Sequence, residues 1–397
     1  ISPKPLTEYT PIQRESKGEN IITQYDMYSI EPLGLLKMDF LGIRNLSILG
    51  SAVEILKREM DVDIDLQKIP LDDKKAYGML WQGDTMGVFQ LGGSGMTRYV
   101  KELKPTSISD LAAMVALFRP GPMDSIPEFI ERKHARRKIK LLDPRMEEIL
   151  SQSYGVITYQ DDVLMIAVKL AGYSWVEADK LRKAIGKKIP SEMKKQKQKF
   201  IEGCVKNGMK QDIADKLWEL IEPFAGYGFN KAHAVAYGLV AYQTAYVKSH
   251  YPVEFMTALL TAESHGSSGP SRNEKVGRAI LECRKMGIEV LSPNVNLSNV
   301  GFSIEKSDGK RAIRFGLSAI KNVGEAAIET ILAARAMGTF KSLIDFSRRV
   351  DLSKVNKKTL ESLIKAGALD QFGTRASMLS SLDAILTTGH REKKIAS

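Results

Sequence analysis

The stretch Asn230-Lys-Ala-His-Ala-Val-Ala-Tyr-Gly-Leu-Val-Ala-Tyr-Gln-Thr-Ala-Tyr-Val-Lys-Ser-His250 decides the fold, because it predicts the longest helix of the chain. Pro252 follows it and starts the next element. Immediately before it, Gly226-Tyr-Gly-Phe-Asn230 adds glycine and aromatic residues. Polar, aromatic and cationic groups therefore meet at a helix start, where free backbone amides favour anions. The stretch matches neither a Walker loop nor a dinucleotide-binding fingerprint.

A helical pattern extends outward on both sides of this stretch, from about residue 46 to about residue 262. Two short extended pieces interrupt it, Gly87-Val-Phe-Gln-Leu91 and Val156-Ile-Thr-Tyr159. Arg119-Pro-Gly-Pro122 predicts a firm break between two helices, because its prolines cannot continue one. This part of the chain is therefore expected to be a helical domain with few strands.

Further along, His265-Gly-Ser-Ser-Gly-Pro-Ser-Arg272 is typical of a surface loop or linker. Ser307-Asp-Gly-Lys310 then lies between two alternating strand patterns and predicts a β-hairpin. Helix-turn units follow near Gly324 and Gly367, each with an Ile-Lys before the glycine, which is consistent with a degenerate duplication. These units are either packed helix pairs or turns whose backbone N–H groups approach DNA phosphates. The fold class predicted is mainly α with small β elements (α+β).

Residues 33–40 predict a short buried strand, and an amphipathic helix follows Gly42 up to about Met60. Asp39 is the one acid in that apolar strand, where a buried, unpaired carboxylate would cost on the order of several kcal/mol. It therefore needs a cation. Lys37 is two residues away and points to the same face of a strand. The pair is either a structural ion pair or a metal ligand and a cation around a phosphate.

Asp61-Val-Asp-Ile-Asp65 would place three carboxylates on one face of a strand, as a two-metal site requires. Gln67-Lys-Ile-Pro70 and Asp72-Asp73 follow immediately, and no apolar residues face a core on both sides. A solvated loop after a helix is therefore the expectation for this segment.

The composition limits the classes of function. The 397 residues include 58 Lys and Arg against 47 Asp and Glu, a formal charge of +11, which favours nucleic acid, phosphorylated ligands or an anionic membrane surface as partners. Cys204 and Cys283 are the only cysteines, so a disulfide framework and a cysteine zinc site are excluded and the cytosol is expected. No apolar run approaches the roughly 18 residues of a membrane span. The chain does not begin with Met, and we expect a fragment of a longer protein.

The positive charge is concentrated between residues 180 and 210. Eleven basic residues lie there against only Glu192 and Glu202, which gives this stretch a charge of +9. One interpretation is a solvated, lysine-rich helix face. The other is a site for a triphosphate or a nucleic-acid backbone, which the tight Gly186-Lys187-Lys188 turn favours.

Nine stretches of the chain, taken in order, match the motifs of one family. They are Thr23-Gln-Tyr-Asp26, Leu36-Lys-Met-Asp-Phe-Leu-Gly42, Gly87-Val-Phe-Gln-Leu91, Ala116-Leu-Phe-Arg-Pro-Gly-Pro122, Tyr159-Gln160, Lys183-Ala-Ile-Gly-Lys-Lys188, Gly226-Tyr-Gly-Phe-Asn-Lys-Ala-His233, Ala241-Tyr-Gln-Thr244 and His250-Tyr-Pro252. Together they closely resemble the α subunit of bacterial DNA polymerase III, a C-family replicative polymerase. The resemblance implies template-directed nucleotidyl transfer from a dNTP to primer-template DNA, with two Mg²⁺ ions, in the bacterial cytoplasm at the nucleoid.

In that family the palm domain holds three catalytic aspartates. The resemblance implies that Asp39 is the third of them and a metal ligand, and that Lys37 lies near the phosphates of the incoming nucleotide. The other two aspartates form a D-x-D pair that precedes this region in the family and is not found in this chain. We therefore expect this chain alone to be inactive, whereas its parent is a DNA-directed DNA polymerase.

The resemblance also implies binding residues in the fingers and beyond. The residues expected to bind the dNTP and its phosphates are Arg182, Lys183, Lys187, Lys188, Asn230, Lys231 and His233. The residues expected to contact DNA are Lys321, Gly324, Lys365 and Gly367, in a tandem helix-hairpin-helix region that holds duplex DNA.

The implied domains are the C-terminal piece of the palm at 1–45, the fingers at 46–262, a linker and connecting helix at 263–300, the tandem helix-hairpin-helix region at 301–390 and a tail at 391–397. The sliding clamp and other replisome subunits are expected to bind outside this chain, and no membrane is involved. Two other functions stay open. One is a non-catalytic helix-hairpin-helix module that binds DNA, and the other is an anion-binding scaffold for protein assembly, without salt-dependent DNA affinity.

Overall fold

The computed structural model describes residues 1–38, 40–187, 190–225, 228–265 and 270–387. The chain divides into two compact units, Ile1–Arg44 and Asn45–Ser397. Helices α1 to α17 are Arg44–Met60, Lys74–Gln82, Ser94–Leu103, Ile108–Leu117, Ile126–Lys133, Met146–Leu150, Gln160–Lys169, Trp175–Lys187, Pro190–Lys206, Gln211–Ala225, Lys231–His250, Pro252–His265, Pro270–Lys285, Glu325–Ala336, Leu343–Arg349, Lys357–Ala366 and Arg375–Ser380. Strands β1 to β5 are Ile12–Arg14, Ile21–Thr23, Val290–Leu291, Ser303–Ser307 and Lys310–Arg314. The prediction of a mainly α fold with small β elements is confirmed.

The first unit consists mostly of turns around a small antiparallel hairpin of β1 and β2. The buried strand predicted at 33–40 is wrong. The described residues there form turns and irregular backbone, and Leu36 and Met38 are more than half exposed. A strand needs successive residues to pair with a neighbouring strand, whereas the two backbone bonds of Leu36 both go to Ile1.

Helix α11 is the central helix of the second unit and packs against α4 and α2. It begins after Asn230 and ends at His250, which confirms the helix predicted from the sequence. Gly238 allows α11 and α4 to approach closely, because a Cβ at this position would lie 3.0 Å from the backbone nitrogen of Ala112. The second half of the helix, from Ala241, therefore lies mostly inside the core, whereas its first turns are partly exposed.

The second half of α11 fixes the loops that pack around it. The hydroxyl of Tyr242, which is fully buried, donates to the carbonyl of Pro70 and accepts from the backbone N–H of Asp73. The side-chain amide of Gln243 donates to the carbonyl of Leu66 at 3.0 Å. These bonds satisfy polar groups that would otherwise be buried without a partner.

Two predicted interruptions of the helical pattern have different outcomes. The break at Arg119–Pro122 is confirmed, because α4 ends at Leu117 and a 3₁₀ turn at Pro122–Ser125 leads into α5. The extended piece predicted at 87–91 is wrong, since these residues form a series of turns. Gly87 has a φ of +77°, so the backbone turns sharply where a strand would run straight. Glycine is also needed there for packing, because a Cβ would lie 2.8 Å from the side chain of Leu259.

Helices α6 to α10 surround a second core, in which Phe200 and Trp218 are fully buried. Helix α12 then starts at Pro252, as predicted. Of the loop predicted at 265–272, residues 266–269 lie outside the described residues. Its described ends are helical, since α12 extends to His265 and α13 begins at Pro270.

The predicted hairpin is confirmed as the antiparallel pair β4 and β5. Asp308 and Gly309 have φ values of +49° and +76°, as the two central residues of a type I′ turn require. Strand β3 pairs in parallel with β5 and was not predicted. It is only two residues long, which is too short for an alternating pattern to be recognised.

Helices α14 to α17 form a core of their own around Ile331, Phe346 and Leu363. The predicted duplication of the two helix-turn units is wrong, because their glycines lie at opposite ends of a helix. Gly324 is the N-cap of α14 with a φ of −86°, whereas Gly367 ends α16 in the left-handed conformation with a φ of +85°. The shared Ile-Lys is outside a helix in one case and inside it in the other. Among the described helices, none combines the length and apolarity needed to cross a membrane.

Candidate functional site

The start of α11 is fixed to the start of α7. Asn230 caps α11, because its side-chain oxygen accepts from the backbone N–H of His233 at 2.8 Å. The backbone N–H of Lys231 donates to a carboxylate oxygen of Asp161 at 2.9 Å. A carboxylate of α7 therefore accepts a hydrogen bond from one of the backbone N–H groups at the start of α11 that have no partner within the helix.

A single β-bridge joins the segments that lead into the two helices. Tyr159 pairs with Phe229 in parallel, and the N–H of Gln160 donates to the carbonyl of Phe229 at 3.0 Å. Of the extended piece predicted at 156–159, only this bridge at Tyr159 is present. A Cβ on Gly228 would lie 2.8 Å from the side chain of Gln160, so glycine permits the close approach.

Asp162 lies beside this bridge and is buried. One of its oxygens accepts from the backbone N–H groups of Thr158 and Tyr159, each at 2.8 Å. Burial raises the pKa of Asp162 to about 6, although the two amides and the charge of Lys231 act in the opposite direction. A carboxyl group whose charge is poorly stabilised thus fixes the segment that leads into α7.

Aromatic rings form a continuous row along the first two turns of α11. The ring of His233 lies 5.2 Å from that of Phe229 and 4.1 Å from that of Tyr237. The ring of Phe89, from the turn after α2, lies 4.9 Å from Tyr237. Such a row beside a helix start can hold a planar ring and an anion at the same time.

Two cations lie over this aromatic cluster. The guanidinium of Arg119, in the break after α4, is 4.8 Å from the ring centre of Phe229. The Nζ of Lys231 is 5.6 Å from the ring centre of Tyr159. Both distances are in the range of cation–π contacts. Residues from four motifs that are far apart in the sequence therefore meet at one place.

Sequence reasoning missed the group that fixes the turn before Phe89. Lys248 is fully buried, and its Nζ donates to the carbonyls of Asp84 and Met86, each at 2.9 Å, and to the carboxylate of Glu282 at 2.6 Å. Burial lowers the pKa of Lys248. The signal in the sequence was a lysine among apolar residues of a long helix, but its partners lie in distant segments.

The predicted basic cluster on α8 is partly neutralised. Arg182 donates to Asp179 at 2.7 Å, and Lys183 lies 2.8 Å from the same carboxylate, so both cations lower the pKa of Asp179. Lys187 is the last residue of α8, and its side chain is not described. Lys188 lies outside the described residues. The structure thus places Arg182 and Lys183 together around one acid.

The predicted catalytic residues belong to the first unit. Lys37 is exposed there, and Asp39 lies outside the described residues. Among the described residues, no three His, Cys, Asp or Glu side chains are arranged to hold a metal ion. The Asp61–Asp65 segment is an irregular loop, as predicted, and its carboxylates include two paired with Lys57 and Lys68.

The predicted DNA-contacting residues have two kinds of environment. Lys321 and Gly324 are exposed in the turn before α14, and a Cβ on Gly324 would meet open space. In contrast, Lys365 pairs with Glu361, and the space beside Gly367 is filled by Arg375. The first turn therefore presents its backbone to solvent, and the second is occupied by the protein's own side chains.

Sequence profiles of three families match separate parts of the chain. The bacterial DNA polymerase III alpha NTPase domain matches residues 1–42, and the bacterial DNA polymerase III alpha subunit finger domain matches residues 45–208. A helix-hairpin-helix motif matches residues 287–378. The three matches follow one another in the order expected from the sequence motifs.

Curated relatives match nearly the whole chain. The DNA polymerase III subunit alpha of Thermus aquaticus is 47% identical over 392 residues, which is 97% of this chain and 31% of that protein. The same subunit of Pseudomonas aeruginosa is 46% identical over 94% of this chain and 32% of its own length. That of Bacillus subtilis is 43% identical over 97% of this chain and 34% of its own length. The chain thus spans about a third of the length of these relatives.

Proposed function

Since this chain belongs to the bacterial DNA polymerase III α-subunit family, we propose that it forms the nucleotide-binding fingers of a replicative DNA polymerase and a helix-hairpin-helix region that binds the product duplex. The reaction of the full-length subunit is the attack of a primer 3′ hydroxyl on the α-phosphate of a dNTP, directed by a template strand. The domain boundaries expected from the sequence are part of this proposal.

One observation supports the proposal most strongly. The turn with Phe89, the break with Arg119, the bridge at Tyr159 and the first turns of α11 converge on one cluster. Each comes from a different motif of the family resemblance. Segments that meet only after folding are expected to share a site.

The residues of this cluster have distinct proposed tasks. The aromatic row with His233 orients the planar base or the sugar of the incoming dNTP, since flat faces stack on one another. Lys231 and the remaining free amides of α11 bind its phosphates. Arg182, Lys183, Lys187 and Lys188 add positive charge from α8 and the residues after it. Asp179 pairs with both Arg182 and Lys183 and so brings these two cations together on α8.

Two Mg²⁺ ions belong to the proposal through the family resemblance alone. Divalent pairs of this kind need several carboxylate oxygens, and Asp39 is the single aspartate assigned to this role. The residues of this chain do not by themselves fit two metal ions. The role proposed for the chain is therefore to bind and orient the nucleotide and the DNA.

The helix-hairpin-helix region is proposed to hold duplex DNA without reading its sequence. The open turn at Lys321 and Gly324 presents a lysine and backbone N–H groups to solvent, which suits a phosphate contact. Asn322 braces this turn against α16, because its side-chain amide donates to the hydroxyl of Ser362 and its carbonyl accepts from Thr359. Lys365 and Gly367 are proposed as a second, weaker contact.

The test replaces Asp39 by alanine in a full-length α subunit that contains this chain. We expect primer extension to be abolished and the affinity for primer-template DNA to be unchanged. Asp63→Ala is the matched control, since it removes a carboxylate whose partner is the exposed Lys57, and it should leave extension unchanged. Retained extension by Asp39→Ala would favour a DNA-binding module without catalysis. Nucleotide incorporation by the 397-residue chain alone would contradict its expected inactivity.

A further inference from the structure

Helix α9 carries lysines that differ from those of α8 in their surroundings. Lys194, Lys195 and Lys197 are exposed, and in the described part of the chain none of them has an acidic partner. On α8, by contrast, Arg182 and Lys183 share Asp179. The positive charge of α9 is therefore available to a ligand outside the protein.

The acids of α9 do not neutralise these lysines. Glu192 accepts from the side chain of Gln196 at 3.1 Å, and Glu202 accepts from that of Gln198 at 2.9 Å. Lys199 pairs instead with Glu177 of α8 at 2.6 Å. Three like charges within four residues of one helix repel one another and lower its stability. Such an arrangement is explained when an anion binds there.

Buried residues near the C-terminal end of α9 hold the helix in place. Phe200 and Cys204 are fully buried, and the ring of Phe200 lies 5.6 Å from that of Trp218 in α10. The lysines are thus presented from a rigid element, which reduces the entropy lost on binding to the side chains themselves.

A cavity of about 970 Å³ brings Lys140, from the segment after α5, to the same cleft as Lys194 and Lys197. Apolar side chains form much of its wall, namely Pro122, Leu141, Leu142, Met146, Val156, Ile157, Met193 and Leu220. This lining combines cations with apolar surface. It suits a strand whose phosphates contact lysines while its unpaired bases contact apolar groups, and a duplex does not expose its bases in this way.

Four acids also line the cavity. Glu128 pairs with Arg132 at 2.8 Å, and Glu222 accepts from the indole N–H of Trp218 at 3.1 Å. Asp124 and Glu219 complete the set. The acids belong to the segments around α5 and to α10, whereas the exposed lysines belong to α9 and to the segment with Lys140. The backbone of the ligand is therefore expected on the lysine-bearing elements.

We propose that Lys194, Lys195 and Lys197, together with Lys140, bind the phosphodiester backbone of single-stranded template DNA. None of these four lysines is among the residues proposed for the triphosphate. The proposal rests on the proposed function for the identity of the strand, but its chemistry requires only a single-stranded polyanion.

The test compares the triple variant Lys194→Gln, Lys195→Gln, Lys197→Gln with a control that removes three exposed lysines elsewhere, Lys74→Gln, Lys75→Gln, Lys101→Gln. The fluorescence anisotropy of labelled DNA gives Kd for the 397-residue chain over a range of KCl concentrations. Two DNAs are used, a primer-template with a long single-stranded overhang and a blunt duplex. Circular dichroism and thermal unfolding confirm that each variant is folded.

For the overhang DNA, we expect the slope of log Kd against log salt to fall by about 2 in the triple variant, since each single-strand phosphate contact contributes roughly 0.7. Lys194→Gln alone should lower it by about 0.7. The control and the blunt duplex should show no change. An equal loss on blunt duplex, or a slope equal to that of the control, would overturn the proposal.

A second readout separates this proposal from the proposed function. In the full-length subunit, the triple variant should leave the apparent KM for dNTP unchanged. A raised KM with unchanged salt slopes would assign the lysines to the triphosphate and overturn the proposal. Salt-dependent binding through these lysines in a full-length subunit that incorporates no nucleotide would contradict only the proposed function.

Discussion

The two ends of helix α11 each carry a lysine, and their surroundings are opposite. Near the start, Lys231 is partly exposed, with its Nζ over the ring of Tyr159. Near the end, Lys248 is fully buried, and its ammonium group donates to two backbone carbonyls and to Glu282. An ammonium group has three donors, so the protein supplies every partner of Lys248, whereas the charge of Lys231 stays accessible to a ligand.

This difference teaches how one helix can serve both the fold and a binding site. The second half of α11 fixes loops through Tyr242, Gln243 and Lys248. The first two turns carry His233 and Tyr237 on a row of rings that reaches solvent. A substitution at the buried end should therefore act on stability, and one at the exposed end on ligand binding.

The largest expected effect is on stability at the buried end. Lys248→Met leaves the carboxylate of Glu282 and two carbonyls without their partner. We expect the free energy of unfolding to fall by about 3–5 kcal/mol, as for other buried pairs that lose one member. Urea unfolding of the 397-residue chain measures it.

Lys285→Met is the matched control for this change. Lys285 pairs with Asp84 at the surface, with its side chain 61% exposed. Its loss should cost no more than about 1 kcal/mol. Equal losses in the two variants would show that burial does not distinguish them and would contradict the account of Lys248.

The next effect concerns Asp162, near the start of the helix. Its pKa is raised to about 6 in the folded protein, so the folded state binds more protons than the unfolded state between about pH 4 and pH 6. The contribution of this group to stability is therefore lost as the pH rises through that window. Above it, the charged carboxylate costs up to about 3 kcal/mol.

Asp162→Asn isolates this contribution, because the amide oxygen can still accept from Thr158 and Tyr159. We expect the variant and the wild type to be equally stable near pH 4, and the variant to be more stable by up to about 3 kcal/mol above pH 6. Urea unfolding at a series of pH values tests it. A difference between them that does not change with pH would contradict the raised pKa.

A smaller effect is expected in the middle of α11. In Gly238→Ala, the added Cβ would lie 3.0 Å and 3.2 Å from backbone atoms of Ala112, so α4 and α11 must separate slightly. We expect a loss of about 1–3 kcal/mol. Gly277→Ala in α13 is the control, since its Cβ would meet nothing within 4 Å, and it should be stabilising by up to about 1 kcal/mol. Thermal unfolding of both variants is the measurement. A gain in stability in both would show that helix propensity outweighs the close packing at Gly238.

Local signals in the sequence predicted the elements that depend on local bonds. Asn230 caps α11 through its own side chain, and Asp308 and Gly309 supply the two positive φ values of the hairpin turn. Strand β3 and the turns at 87–91 depend on distant partners, and the sequence pattern did not predict them. The buried strand expected at 33–40 was wrong for the same reason, because apolar residues alone do not provide a neighbouring strand.

The candidate site was predicted in its parts but not in its assembly. Asn230, Lys231 and His233 were named from one motif. The structure shows that His233 lies beside Tyr237, which contacts Phe89, and beside Phe229, which Arg119 contacts. No spacing along the chain indicates that these rings and cations share a cluster. The opposite case is the basic run at 180–210, whose lysines are close in sequence but differ in their partners. Lys183 on α8 is paired, whereas Lys194, Lys195 and Lys197 on α9 have no acidic partner among the described residues.

The central claim is that the start of α11 binds the incoming nucleotide, and Lys231→Gln tests it most directly. This change removes the charge and keeps the backbone N–H that donates to Asp161. In a full-length α subunit, we expect the apparent KM for dNTP to rise about 10-fold or more, since a bond to a charged group contributes about 1.5–3 kcal/mol. The free energy of unfolding should fall by no more than about 1 kcal/mol, the contribution of an exposed cation–π contact such as that with Tyr159. An unchanged KM together with a large loss of stability would contradict the claim, because Lys231 would then serve the fold as Lys248 does.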